Sequence, residues 1–157
     1  MAEPAVEISG FGVVERIAQA DSSDVVRVVR GERSLLIVPR TAGEDPGTQQ
    51  RLFTQLDLGR HLDLPGVVRP REIVRSEGRS VLVLEVCEGR SLTSEVAEQV
   101  PLERAVSLAL AGAKILAGLH GSGVTHCAIR PDAFVVTAEG ALTLVDGLNA
   151  PSSPRRS

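Results

Sequence analysis

The chain is almost without lysine: of 17 basic residues in 157, only Lys114 is one, and the others are arginines. Any chemistry that needs a lysine amine must find it at position 114 or do without. Tryptophan and tyrosine are absent and aromatics make up 2%. That excludes a stacking platform for single-stranded nucleic acid, which needs aromatic faces, and leaves Leu, Val, Ile and Ala to build the core. No block of basic residues precedes the tail pair Arg155-Arg156, and the net charge is -3. Phosphate neutralisation therefore has little to work with, and no nucleic-acid partner is expected. The two cysteines, Cys87 and Cys127, lack the spacing of a metal site and read as reduced thiols of a cytoplasmic protein. The longest apolar stretch, residues 105–124, is broken by Lys114, His120 and glycines, so no membrane span is expected. The Met-Ala-Glu-Pro start has neither a basic nor an apolar run, so no signal peptide is expected.

What is present reads as an ordinary globular chain, 43% hydrophobic and 24% charged. Short Val/Ile-rich runs at 11–17, 24–30 and 34–38 predict three strands in a meander, with a loop over Ala18 to Ser23. Asp45-Pro46 predicts a helix start, Asp as the cap and Pro at the first helical position. Leu52, Phe53, Leu56 and Leu62 continue at helical spacing until Leu64-Pro65-Gly66. Gly59 weakens that helix. Residues 67–75 read as one strand kinked at Pro70, followed by a turn at Ser76-Glu77-Gly78 and a buried strand over 79–86. A short helix then starts near Leu92. Pro101 opens the clearest helix, with Leu102, Val106, Ala109, Ala113, Leu116 and Leu119 on one stripe, ended by Gly121 and Gly123. Residues 133–137 and 141–145 predict a hairpin. Periodicity alone thus gives an α+β fold and no chemistry.

Four segments, in order, carry a resemblance. Leu119-His120-Gly121-Ser122-Gly123-Val124-Thr125-His126-Cys127-Ala128-Ile129-Arg130-Pro131-Asp132-Ala133 resembles the end of a long helix and the catalytic loop of protein kinases, H-R-D, four residues, then N. The stretch Ala141 to Gly147 resembles the strand leading to D-F-G. Residues 83–92, Val-Leu-Glu-Val-Cys-Glu-Gly-Arg-Ser-Leu, resemble the hinge between the two kinase lobes. Residues 63–69 resemble the connection between the regulatory helix and the fourth strand. Together they are similar to a bacterial Ser/Thr protein kinase over residues 11–149. The resemblance implies a flexible start (1–10), a smaller lobe of five antiparallel strands and one helix (11–87), a partial larger lobe with a small hairpin (88–149) and a disordered tail (150–157). The activation loop, the A-P-E segment and the later helices have no counterpart before Ser157, so a truncated domain is expected.

The resemblance also shows what has been replaced. Phosphoryl transfer in kinases uses a glycine-rich loop, a third-strand lysine paired to a helix glutamate, two metal sites and a catalytic aspartate. Ala18, Ala20 and Ser23 fall where the loop glycines would be. Arg40 is the nearest cation to the lysine position, and arginine does not replace lysine at a tight site. Gln55 falls at the helix glutamate. Ala128 stands for the catalytic aspartate, removing a base worth about 10²–10⁴ in rate. Ala133 stands for the metal-binding asparagine, with Asp132 beside it. Asp146 keeps the metal-binding aspartate and His126 the structural histidine. A single carboxylate rarely holds Mg²⁺ without nucleotide phosphates.

A catalytically inactive pseudokinase is therefore expected, acting as an interaction or regulatory module in signalling, with no cofactor. Its protein partner, or a second copy of itself, would sit on the apolar face of the 102–119 helix. The alternatives are a nucleotide-binding switch without transfer, in which the hinge backbone at Glu85 to Cys87 accepts an adenine edge and Asp146 helps hold ATP with Mg²⁺, or a non-functional kinase fragment. The arginine bias fits a GC-rich bacterial genome.

Overall fold

A computed structural model describes residues 8, 10–19, 23–30, 32–39, 46–126, 129–145 and 148–149. The valine-rich runs pair as the periodicity predicts. Strands β1 (Gly12–Gln19), β2 (Ser23–Arg30) and β3 (Glu32–Pro39) form an antiparallel meander. Strands β4 (Pro70–Ser76) and β5 (Arg79–Leu84) join it as a hairpin, giving the order β1-β2-β3-β5-β4. The hairpin turns through Glu77 (φ 52°) and Gly78 (φ 75°), the positive-φ pair that a two-residue loop needs to match strand twist.

Strand alternation sorts the side chains of this sheet into two cores. Val26 and Val28 of β2 and Val81 and Val83 of β5 face outward with Val38, covered by Ile8 and Phe11. Leu82 and Leu84 face inward with Ile17, Leu52 and Leu56. From Val81 to Leu84 strand β5 is apolar without a break because both of its faces are buried there.

The inward face is covered by α1 (Pro46–His61), which packs on β4, β5 and the later strand Leu148–Asn149. Leu52, Gln55, Leu56 and Gly59 form its buried side. The expected cap, Asp45, lies outside the described residues. Gly59 has a packing reason: a Cβ there would lie 2.2 Å from Cδ and Cγ of Pro70, where the helix crosses the start of β4.

Two strand boundaries differ from expectation. Residues 67 and 68 do not belong to β4. Val67 instead bridges Leu144 in parallel, and the Val68 N–H donates to the Leu144 carbonyl at 2.9 Å. Pro70 has no N–H to extend the ladder in that direction, and the partner lies 76 residues away in sequence, beyond the reach of local pattern (Val68 to Leu144). Strand β5 stops at Leu84, and Val86 is exposed.

Beyond the connector 85–89 come β6 (Arg90–Ser91), α2 (Leu92–Ala97), α3 (Leu102–Gly121), β7 (Thr125–His126), a 3-10 turn (Pro131–Ala133), β8 (Phe134–Val136), β9 (Leu142–Leu144) and β10 (Leu148–Asn149). Strands β8 and β9 are the predicted hairpin, closed by Gly140 N–H to the Thr137 carbonyl. Strand β6 adds to its edge, and β10 pairs with β7. Ser91 caps α2, its hydroxyl accepting from the Thr93 N–H at 3.2 Å. Helix α3 closes with Val124 N–H to Leu119 and Gly123 N–H to His120, both at 3.0 Å, the paired bonds of a glycine C-terminus.

The buried side of α3 is Leu108, Ile115 and Leu119, packed with Phe134, Val136, Leu142 and Leu144. The predicted stripe is buried only at its C-terminal end. Leu102 is 80% exposed, Val106 and Leu110 are exposed, and so are Ala109 and Ala113. The helix is apolar on more than one side, and its neighbours decide which side is covered. The architecture is α+β: a five-stranded antiparallel sheet with one helix, followed by helices and a small hairpin.

Candidate functional site

The connector from β5 to β6 joins the two parts of the fold. Glu85 donates its N–H to the Arg69 carbonyl at 2.9 Å, and its side chain and that of Val86 face solvent. Cys87 turns inward and is 8% exposed. Burial pushes its thiol above the ordinary range, opposed by a hydrogen bond with Thr143 and by the nearby Arg27 charge. Gly89 sits at φ 142°, and a Cβ there would lie 2.2 Å from the Val136 carbonyl oxygen. The connector backbone is thus pressed onto β8 at a point only glycine permits.

Arg27 reaches this connector from β2. With Val26 and Val28 on the outer face, alternation directs Arg27 to the inner one. Its Nη2 donates to the Gly89 carbonyl at 2.8 Å and, longer, to the Cys87 carbonyl at 3.4 Å. Its Nε lies 3.9 Å from a Glu88 carboxylate oxygen, and the side chain is 12% exposed.

Between the sheet and the helical part, the apolar surfaces have met. Ile17 of β1 and Val135 and Val145 from the hairpin belong to one continuous cluster with Leu84 and Cys87. Val135 is fully buried. Strand β1 lies directly against β6 and the 3-10 turn.

On α1, Gln55 is 3% exposed and stands between Leu52 and Leu56. At the 3-10 turn the Asp132 carboxylate accepts from Thr93 Oγ1 at 2.5 Å and from Arg130 at 3.0 Å. Those bonds tie the turn to α2. Ala133 is buried, its N–H donating to the Arg130 carbonyl and its own carbonyl accepting from Val145.

No family model matches the chain. It is 31% identical over 88 residues to a probable serine/threonine-protein kinase of Clostridium perfringens, covering 55% of this chain and 13% of that protein. It is 24% identical over 143 residues to serine/threonine-protein kinase PknD of Mycobacterium tuberculosis, covering 90% of this chain and 21% of PknD. Sperm motility kinase Z of Mus musculus is 28% identical over 104 residues, 64% of this chain and 21% of the kinase. The chain is protein kinase-like. It spans only 13% to 21% of the lengths of these three relatives.

Several expected site residues of the kinase-like chain can now be placed. Ala18 and Ser23 are strand residues, paired with Val25 and Pro39, and not part of a loop over 18–23 as expected. The valines of β2 extend the ladder with β1 as far as Gln19 and Asp24, because β-branched residues favour pleated pairing. Gln55 is on α1, Glu85 and Cys87 are on the connector, and Ala133 ends the 3-10 turn. His126 pairs with Leu148 in the β7–β10 ladder. Ala20, Arg40, Ala128 and Asp146 lie outside the described residues.

Arg27 and Ile17 were not among the expected site residues. The signal for Arg27 was present: a cation in the middle of the run Asp-Val-Val-Arg-Val-Val-Arg, on the face opposite the buried Val26 and Val28. Among the described residues no group of three His, Cys, Asp or Glu is placed to hold a metal ion. Ala133 brings no side-chain oxygen, and the Asp132 carboxylate is engaged by Thr93 and Arg130. No helix among them is long and apolar enough to cross a membrane.

Proposed function

We propose that this kinase-like domain does not transfer phosphate and acts as a protein-interaction or regulatory module. The observation that carries the reading is Gln55, a neutral amide 3% exposed on the inner side of α1, at the position the resemblance gives to the ion-pairing glutamate. The cationic half of that pair has no lysine to supply it. Strand β3 contains none, and Lys114 stands exposed on α3. Transfer relies on positioned charge more than on covalent chemistry, and both members of one charged pair are replaced.

The interaction half of the reading rests on α3. Leu102, Val106 and Leu110 are exposed on it, and a groove of about 670 Å³ lies between α2 and α3, lined by Leu92, Val96, Leu108, Leu116 and Ile129. Apolar surface of this kind marks contact sites, and a protein partner or a second copy of the chain is the expected occupant.

The test is incubation with γ-labelled ATP, Mg²⁺ and a Ser/Thr peptide. No label is expected in the peptide or in the protein. Transfer that disappears in Asp146→Ala would overturn the reading.

A further inference from the structure

We infer that Arg27 is an internal clasp that holds the interlobe cleft shut against purines. The inference rests on the hinge reading of residues 83–92 and adds a regulatory contact to it.

A purine edge reaches a kinase hinge by hydrogen-bonding its backbone, the role expected here of Glu85 to Cys87. The Arg27 guanidinium lies at the far end of that backbone. It is 2.8 Å from the Gly89 carbonyl and 3.4 Å from the Cys87 carbonyl, with Glu88 flanking it. A flat N–H donor on the protein thus already bonds Cys87, the last residue of that segment, and more closely Gly89 just beyond it. The contact is sheltered, with the side chain 12% exposed, so water screens it little. It is also anchored at both ends. Strand β2 fixes the arginine by ladders to β1 and β3. Gly89 fixes the acceptor by its forced approach to Val136.

The rest of the cleft agrees with closure. Ile17 above and Val135 and Val145 below share one buried cluster, so a planar ring would have to part surfaces already packed together. Strand β1 would have to lift from β6 and the 3-10 turn, and the Arg27 bonds span that same opening. A charged donor on a backbone carbonyl bonds more strongly than a neutral one, so its removal should matter.

The probe is adenosine, titrated by calorimetry into the wild-type chain and Arg27→Ala. Arg27→Ala is expected to bind at least about tenfold more tightly than wild type. Equal binding by the two, or none by either, would overturn the clasp. If Arg27→Ala does not fold, the wild-type chain carries the test. Its Arg27 guanidinium protons should exchange with water far more slowly than those of exposed arginines in the NMR spectrum, and unprotected exchange would overturn the inference. The phosphate-transfer assay is independent. Transfer by the wild-type chain sinks the inactive reading, whereas equal adenosine binding sinks only the clasp.

Discussion

Gly59 and Pro70 meet so closely that a Cβ on the glycine would stand 2.2 Å from two carbons of the proline ring. By propensity, Gly59→Ala should strengthen α1 by about 1 kcal/mol. The added methyl, however, meets a ring that cannot rotate away, and overpacking of this kind costs about 1–3 kcal/mol. The expected result is a net loss of up to about 2 kcal/mol, read as a lower midpoint in urea unfolding. A stabilised variant would show that helix and strand can slide apart freely.

The β4–β5 turn predicts the opposite sign. Glu77 adopts φ 52° beside Gly78 at 75°, a left-handed conformation that costs an ordinary L-residue roughly 1–2 kcal/mol. Asparagine tolerates it better and makes the Asn-Gly pair preferred in two-residue hairpins. Glu77 is exposed, so little packing is at stake. Glu77→Asn should raise stability by about 0.5–1 kcal/mol, seen as a higher thermal midpoint with an unchanged far-ultraviolet spectrum.

These two positions also show what the sequence made legible. Local pattern found the meander, the β4–β5 turn, the hairpin and the start of α1 at Pro46, because each depends on neighbours a few residues apart. It read Gly59 as a weak point in a helix, since Pro70 becomes its neighbour only once the chain is folded. It placed Val67 and Val68 in β4 for the same reason, their partner being Leu144. The stripe from Leu102 to Leu119 was correct in period and displaced in direction, because Phe134 and Leu142 pack against Leu108 and Ile115. At the candidate site, resemblance picked out Gln55, Glu85, Cys87 and Ala133 by position. It did not pick out Arg27, whose role depends on a contact across 62 residues to Gly89.

The Cys87 thiol supplies a pH prediction. Burial raises its pKa in the folded chain, so between the unfolded thiol's value, about 8.5, and the folded one, the folded state holds the proton more firmly. Stability therefore falls as pH rises through that window, since the unfolded state binds fewer protons there. The same protection should make Cys87 slow to alkylate with iodoacetamide at neutral pH, as the thiolate is the nucleophile. Site-resolved mass spectrometry should find it modified quickly only after denaturant is added. Fast labelling of the folded chain would contradict the burial of this side chain.

Gln55 tests the proposed loss of the charged pair most directly. At 3% exposure between Leu52 and Leu56, an amide is tolerated where an ionised carboxylate needs a partner. Gln55→Glu should lower stability by at least about 2 kcal/mol at neutral pH, the cost of a buried charge without its counterion. Burial would raise the new carboxyl's folded pKa, so the deficit should shrink as pH falls and the group is protonated. Gln55→Leu, similar in size and apolar, should be close to neutral. That pairing of results would mark the position as part of the core between α1 and the sheet. Should Gln55→Glu be neutral in stability and also gain an upward shift with ATP and Mg²⁺, a cation would be waiting for the carboxylate, and the proposed loss of phosphoryl transfer would have to be abandoned.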